Sequence, residues 1–203
     1  MSTIVPPLVN LGSMPPLPVR RFTVDEYHRM IQSGIIPAGE RCELLDGWIV
    51  LKMTRSPLHD LALGLAEDEI GRRLPQGWFR RDQSAVTVTE SEPEPDLAVV
   101  RGRRRDFDHH HPGPADIGMI VEIADPSLAQ DRTVKGSLYA RDGIPIYWIV
   151  NLVDRILEVY TDPTGPDPVP AYRRRQDYQI GDQVTFVLDG TEIDRIPVAD
   201  LLP

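Results

Sequence analysis

Two carboxylates stand where buried strands would otherwise carry aliphatic side chains. They are Asp96 in Pro95-Asp96-Leu97-Ala98-Val99-Val100 and Glu122 in Met119-Ile120-Val121-Glu122-Ile123-Ala124. Strands covered on both faces read as near-continuous apolar runs. An acid in such a run is costly unless it is paired, hydrogen-bonded or bound to a metal. The two acids are 26 positions apart (122 − 96) with one long loop between them, which suits neighbouring strands. With Lys135 from the helix that follows, they could compose a divalent-ion site with a cation beside it. Magnesium is typically held by one or two carboxylates, water and substrate phosphate. Such an ion activates water and steadies charge on a phosphoryl group.

The plainer alternative is that Asp96 caps its strand after Pro95 and Glu122 pairs with an arginine, since structural ion pairs also perturb acids. Lys135 has two readings as well. Asp131, Lys135 and Tyr139 recur at helical spacing and share one face. They form either a surface Asp-Lys pair worth about 0.2–0.5 kcal/mol, or a face packed over the Glu122 strand that aims the ammonium at the site.

The elements that must hold these groups follow from local pattern. Thr23 and Glu26 have capping-box spacing for a helix whose apolar face is Tyr27, Met30 and Ile31, closed by Gly34. Cys42 to Leu51 reads as a hairpin turning at Asp46-Gly47. Ser56 and Pro57 open a second helix with a buried stripe of Leu58, Leu61, Ala62, Leu65, Ile70 and Leu74. Trp78 to Thr89 alternates like a strand, with Val86 and Val88 on one side. Then come the Asp96 strand, a polar loop from Arg101 to Asp116, and a buried strand from Ile117 to Ile123. Ser127 is expected to cap a helix running to Asp142, followed by a strand from Ile144 to Val150 and its partner from Ile156 to Tyr160. From Ala171 the chain reads as short strands, Gln183 to Leu188 among them, with a closing helical turn near Val198 to Leu201. This order implies an α/β fold, a mixed central sheet flanked by helices.

The totals narrow the class. A chain of 203 residues fits one domain with a substantial core, or one domain with appendages. The 20 prolines gather in an N-terminal arm and a late loop. A net charge of −9 weighs against a broad nucleic-acid footprint, though the arginines at 101, 103, 104 and 105 and at 173 to 175 make two local basic patches. Cys42 is the single cysteine, so no internal disulfide and no cysteine zinc site exist. The apolar start lacks the basic opening and continuous apolar core of a signal peptide, and no stretch approaches membrane-spanning length. A cytoplasmic protein is the expectation. The run His109-His110-His111 resembles a metal tract but sits in a polar loop with no second ligand cluster nearby in sequence, and reads as loop filler.

Taken together, Glu43-Leu44-Leu45-Asp46-Gly47, His59, Pro95 to Val100, Val121-Glu122-Ile123-Ala124-Asp125-Pro126-Ser127, Asp131 to Lys135, Tyr139 and Gly143 to Val150 resemble the Uma-two family. Those are bacterial nucleases of the PD-(D/E)XK, restriction-endonuclease-like superfamily, and the resemblance runs from about Arg21 to Tyr160. It implies a proline-rich arm over 1–20, a nuclease-like core over 21–162, and a C-terminal extension over 163–203 with short strands packed on the core. It also implies Mg2+- or Mn2+-dependent phosphodiester hydrolysis. Carried over by position, Asp96 and Glu122 hold the metal with the backbone carbonyl of Ile123, and Glu43 is a further acid. Lys135 is the catalytic lysine, and His59, Arg101 and Tyr139 are substrate-binding candidates. The superfamily's usual lysine position, two residues after the acid, is Ala124 here, which leaves Lys135 as the replacement. A nuclease acting on nucleic acid, with DNA as the expected form and a homodimer as the expected assembly, stands against a non-catalytic interaction protein that keeps the fold.

Overall fold

A computed structural model describes residues 19–203. Most of the proline-rich arm therefore lies outside the described residues. Along the chain come α1 (Val24–Gln32), the hairpin β1 (Cys42–Leu45) and β2 (Trp48–Leu51), α2 (Pro57–Gly71), β3 (Trp78–Asp82), β4 (Leu97–Arg101) and β5 (Ile117–Ala124). A helical run follows: α3 (Leu128–Gln130), a π-helical turn over Asp131–Lys135, and α4 (Gly136–Arg141). Then come β6 (Ile146–Asn151), β7 (Ile156–Pro163), β8 (Tyr172–Gln179), β9 (Gln183–Leu188) and β10 (Thr191–Pro197).

The centre is a six-stranded mixed sheet in the order β3-β4-β5-β6-β7-β8. Only β5 and β6 pair in parallel, and the helical run from Leu128 to Arg141 is the crossover that parallel pairing requires. β1–β2 and β9–β10 form two small antiparallel sheets beside it. Side chains alternate between the faces of a strand. On one face Leu97, Val99, Val121 and Ile123 pack with Ala62, Ala66 and Ile70 of α2 and with Phe186 and Ile196. On the other, Ala98, Val100, Ile120 and Ala124 pack with Leu138, Tyr139 and Ile144. α1 and the hairpin share a third, smaller cluster around Tyr27 and Leu44.

Several expected details hold. Thr23 and Glu26 form the capping box, and Ser56 caps α2 with Pro57 in its first turn. Asp46 and Gly47 both have positive φ, at 48° and 74°, as a tight two-residue hairpin turn demands. A side chain at position 47 would also collide with Arg21 and Phe22.

Others are corrected. The α2 stripe is rotated: Ala62, Leu63, Ala66, Glu69 and Ile70 are buried, while Leu58 and Leu61 are 44% and 54% exposed. The small Ala62 and Ala66, one turn apart, let the helix lie close to the sheet. The strand from Trp78 ends at Asp82, because Gln83 adopts φ +44° and turns the chain aside. Val86 and Val88 are buried all the same, held through backbone bonds to Pro93 and Ser91. Ser127 is already helical (φ −79°, ψ −8°) and makes no side-chain cap, which needs an extended residue. Finally, the first of the strands expected from Ala171 onward, Tyr172–Gln179, is not an appended short strand but pairs along β7 as the edge of the central sheet.

Candidate active site

Register puts the two acids together. β4 and β5 are antiparallel with Leu97 opposite Val121, so the next positions, Asp96 and Glu122, continue as cross-strand neighbours. Alternation sends both toward the face covered by the helical run from Leu128 to Arg141, away from the Leu97–Val121 cluster. Each is then held by named donors. The Asp96 Oδ2 accepts the Ile123 N–H at 2.9 Å and lies 3.1 Å from His59 Nε2. The Glu122 Oε1 accepts the Lys135 ammonium at 2.9 Å and the Tyr139 hydroxyl at 3.0 Å.

Lys135 is caged by three acids from three elements. Besides Glu122, its Nζ lies 3.7 Å from Glu43 on β1 and 3.8 Å from Asp131, four residues earlier. Glu43 is fixed in turn, its Oε2 accepting the Glu94 N–H at 3.0 Å. The π-helical turn is what presents Asp131 and Lys135 together. Both the Gly136 N–H and the Tyr147 hydroxyl donate to the Asp131 carbonyl. Any side chain at position 136 would press on that oxygen, with a Cβ at 3.3 Å. Isolated π turns of this kind recur at functional sites.

The electrostatics follow from burial. Desolvation pushes the Glu122 carboxyl up to about 8; Lys135 opposes this, while Asp131, Asp96 and Glu43 add to it. Asp131 is raised as well, chiefly by burial. Burial alone would depress Lys135, but Glu122, Glu43 and Asp131 outweigh it, so the ammonium stays charged. Asp96 goes the other way: burial would raise it, yet His59 and the Ile123 N–H hold it below the usual carboxylate range. Four acids thus face one lysine and one histidine, a cluster short of positive charge.

These groups line a cavity of about 60 Å3 that also touches Arg41, Lys52, Arg55 and Gln130. One water needs roughly 10–15 Å3 by the same kind of measure, so an ion with a few waters fits. Two buried atoms at the cavity, Asp131 Oδ2 and His59 Nδ1, have no hydrogen-bond partner. An oxygen-rich donor set with an unsatisfied carboxylate oxygen suits a hard divalent cation.

The expected site residues separate into two groups. Asp96, Glu122, Ile123, Glu43, Lys135 and His59 converge on the cavity. His59 sits against Asp96. Tyr139 does not line the cavity; it is fully buried, its hydroxyl donating to Glu122. Arg101 does not join them: it lies at the far end of β4 from Asp96, ion-paired with Asp189 and stacked on the Trp78 ring. Asp131 was passed over, because an Asp-Lys pair at helical spacing usually marks a solvated surface; here both are buried. Arg41, Lys52 and Arg55 carried no sequence signal, each being a lone cation near the hairpin or the start of α2.

The model of the Uma2 family, described as "Putative restriction endonuclease", matches residues 24–194. Among solved structures, one titled "a putative nuclease belonging to DUF820", from Anabaena variabilis, superposes with a TM-score of 0.65. That match covers 89% of this chain and 97% of the other at 16% identity, a likeness of fold. No curated protein matches the chain. The matched span takes in both acids, the caged lysine and the sheet that aligns them, and the chain belongs to the Uma2 restriction-endonuclease-like family.

Proposed function

We propose that the chain is a metal-dependent nuclease that hydrolyses phosphodiester bonds of nucleic acid, with DNA as the substrate, at the Asp96–Glu122 cavity. The observation that carries this reading is the meeting of Asp96, Glu122, Glu43 and Lys135, from separate elements, around one small polar cavity. Asp96 and Glu122 would hold Mg2+ or Mn2+. The Ile123 carbonyl is a third donor, since in a strand it faces the same side as the N–H that bonds Asp96. When bound, such an ion supplies charge neutralisation at the phosphate and a lowered pKa for water.

The chain's own residues do the rest. Lys135 keeps a fixed positive charge beside Glu122, placed to stabilise the anionic character that grows on the phosphate oxygens. It does so from the helical crossover, which answers the alanine at position 124. His59 orients Asp96, and Tyr139 orients Glu122. Arg41, Lys52 and Arg55, at the same cavity, supply the local cations that phosphate binding needs despite an acidic whole.

A second reading takes the Lys135–Glu122 pair as self-neutralising and the fold as a non-catalytic interaction module. The two differ in one experiment: plasmid nicking with Mg2+ or Mn2+ by the wild type, Asp96→Ala and Lys135→Met. The nuclease reading expects metal-dependent nicking by the wild type and at least a 100-fold loss in each variant. Equal activity in wild type and Asp96→Ala would remove this cavity from the reaction.

A further inference from the structure

A second cluster of ligating side chains lies apart from the Asp96 cavity, where the fold answers the sequence expectation for the histidine run. His111 does not stand alone in its loop. The fold brings it to His28 of α1 and to Glu92, with one ligating atom from each of the three within 4.8 Å of the others. His28 Nε2 lies 2.7 and 2.8 Å from the two Glu92 oxygens, and His111 Nε2 lies 4.0 Å from the nearer one. Glu92 is 3% exposed, and its remaining side-chain contact is the Thr87 hydroxyl. Both imidazoles are half-exposed, facing an open cleft.

We propose that His28, Glu92 and His111 form a binding site for a divalent transition-metal ion of the zinc class. Two imidazoles and one carboxylate, with a fourth position open to solvent, are a ligand set typical of Zn2+ and of Co2+ or Ni2+ in the same geometry. Ligand bonds of about 2.0–2.2 Å in a tetrahedron place donor atoms roughly 3.3 Å apart. His28 need retreat from Glu92 by only a few tenths of an ångström, and the half-exposed His111 ring must swing inward. The buried carboxylate is the fixed point, and the exposed rings are the movable ones.

One contact must change. Arg81 Nη2 donates to His111 Nδ1 at 3.3 Å, but a ring ligating through Nε2 carries its proton on Nδ1. Arg81 already reaches the Ala85 carbonyl at 3.3 Å and can turn to it fully.

Such an ion would clasp three separate segments: α1, the loop after β4, and the segment between β3 and β4. The last matters most. Glu92 bridges to Leu44 through the backbone, and Glu94, two residues on, positions Glu43 before the chain reaches Asp96. The clasp is therefore a structural staple for the strand entry that carries the acids.

The test uses full-length protein carrying Glu122→Gln, so that the Asp96 cavity is disabled, and titrates it with Zn2+ and with Co2+. Expected are one equivalent of Zn2+ bound at micromolar or tighter concentration, a Co2+ visible spectrum of tetrahedral intensity, and a higher Tm with Zn2+. Adding His111→Ala or His28→Ala should weaken Zn2+ binding at least 30-fold and abolish both the spectrum and the Tm shift. Circular dichroism checks that each variant is folded before it is titrated. Zn2+ binding that is absent, or unchanged by either histidine substitution, overturns the site.

Discussion

At the scale of single residues, the acids that would hold an ion and the cation that would act beside it respond differently to substitution. Lys135→Met should cut nicking by about 10²–10³-fold, the usual cost of losing one fixed transition-state charge. Mn2+ affinity should hold or rise, because the acids lose their competing cation. Asp96→Asn should lose both nicking and affinity. Kinetics paired with Mn2+ titration of the two variants checks this, and a Lys135→Met that also loses Mn2+ would make the lysine purely structural. Tyr139→Phe removes one buried hydrogen bond to Glu122. It should lower kcat several-fold with KM unchanged and cost about 1 kcal/mol in denaturant melts. A raised KM with unchanged kcat would instead return Tyr139 to the substrate surface. Asp96, Glu122 and Lys135 were legible from sequence because acids inside apolar runs are expensive and so conspicuous. Asp131 was not, because the same spacing on a solvated helix is common and carries no sign of burial.

At the scale of elements, the π-helical turn is the part that sequence did not disclose, since no residue type marks a widened turn as a capping box marks a helix start. Its anchor is visible in the structure. Arg132, inside the turn, donates to Glu158 on β7, which also accepts from Asn151 and Tyr160. Burial would raise Glu158, yet these bonds hold its carboxyl below the usual carboxylate range. A depressed folded pKa means stability that is present above about 4.5 and lost as pH falls through the folded value. Glu158→Gln should therefore destabilise by about 1–3 kcal/mol at pH 7, and the gap from wild type should close below about pH 4. Denaturant melts across pH 3 to 8 test this; a gap that widens in acid contradicts it. That β8 belongs to the central sheet is hard to read from sequence for a related reason. Its sequence, Tyr-Arg-Arg-Arg-Gln-Asp-Tyr-Gln, is nearly all polar, as suits an edge strand that faces solvent and needs charge to stay unpaired on its outer side.

At the scale of the molecule, the central sheet, the hairpin beside it and the crossover work together as an aligning device: β1, the entry to β4, β5 and the crossover each deliver one or two charged groups to one point. The alternating and near-continuous apolar runs made that architecture readable, whereas their ends did not reveal which charges lie near which. Arg101 and Asp96 are five positions apart on one run, but occupy opposite ends of an extended strand. An acidic chain with a small basic rim should bind nucleic acid weakly, with a modest salt dependence set by those few cations. Substituting Arg41, Lys52 and Arg55 together by alanine should flatten the slope of log affinity against log salt by about 2–3 units. Fluorescence anisotropy at several salt concentrations measures it, and an unchanged slope would place substrate elsewhere. Among the described residues no helix is long and apolar enough to cross a membrane. The most direct measurement is calorimetric titration of Mn2+ into His111→Ala protein, so that only the acid cavity is read, with and without Glu122→Gln. The account predicts saturable micromolar binding in the first protein and none in the second. Equal affinity in both, or no binding at millimolar Mn2+, would contradict it.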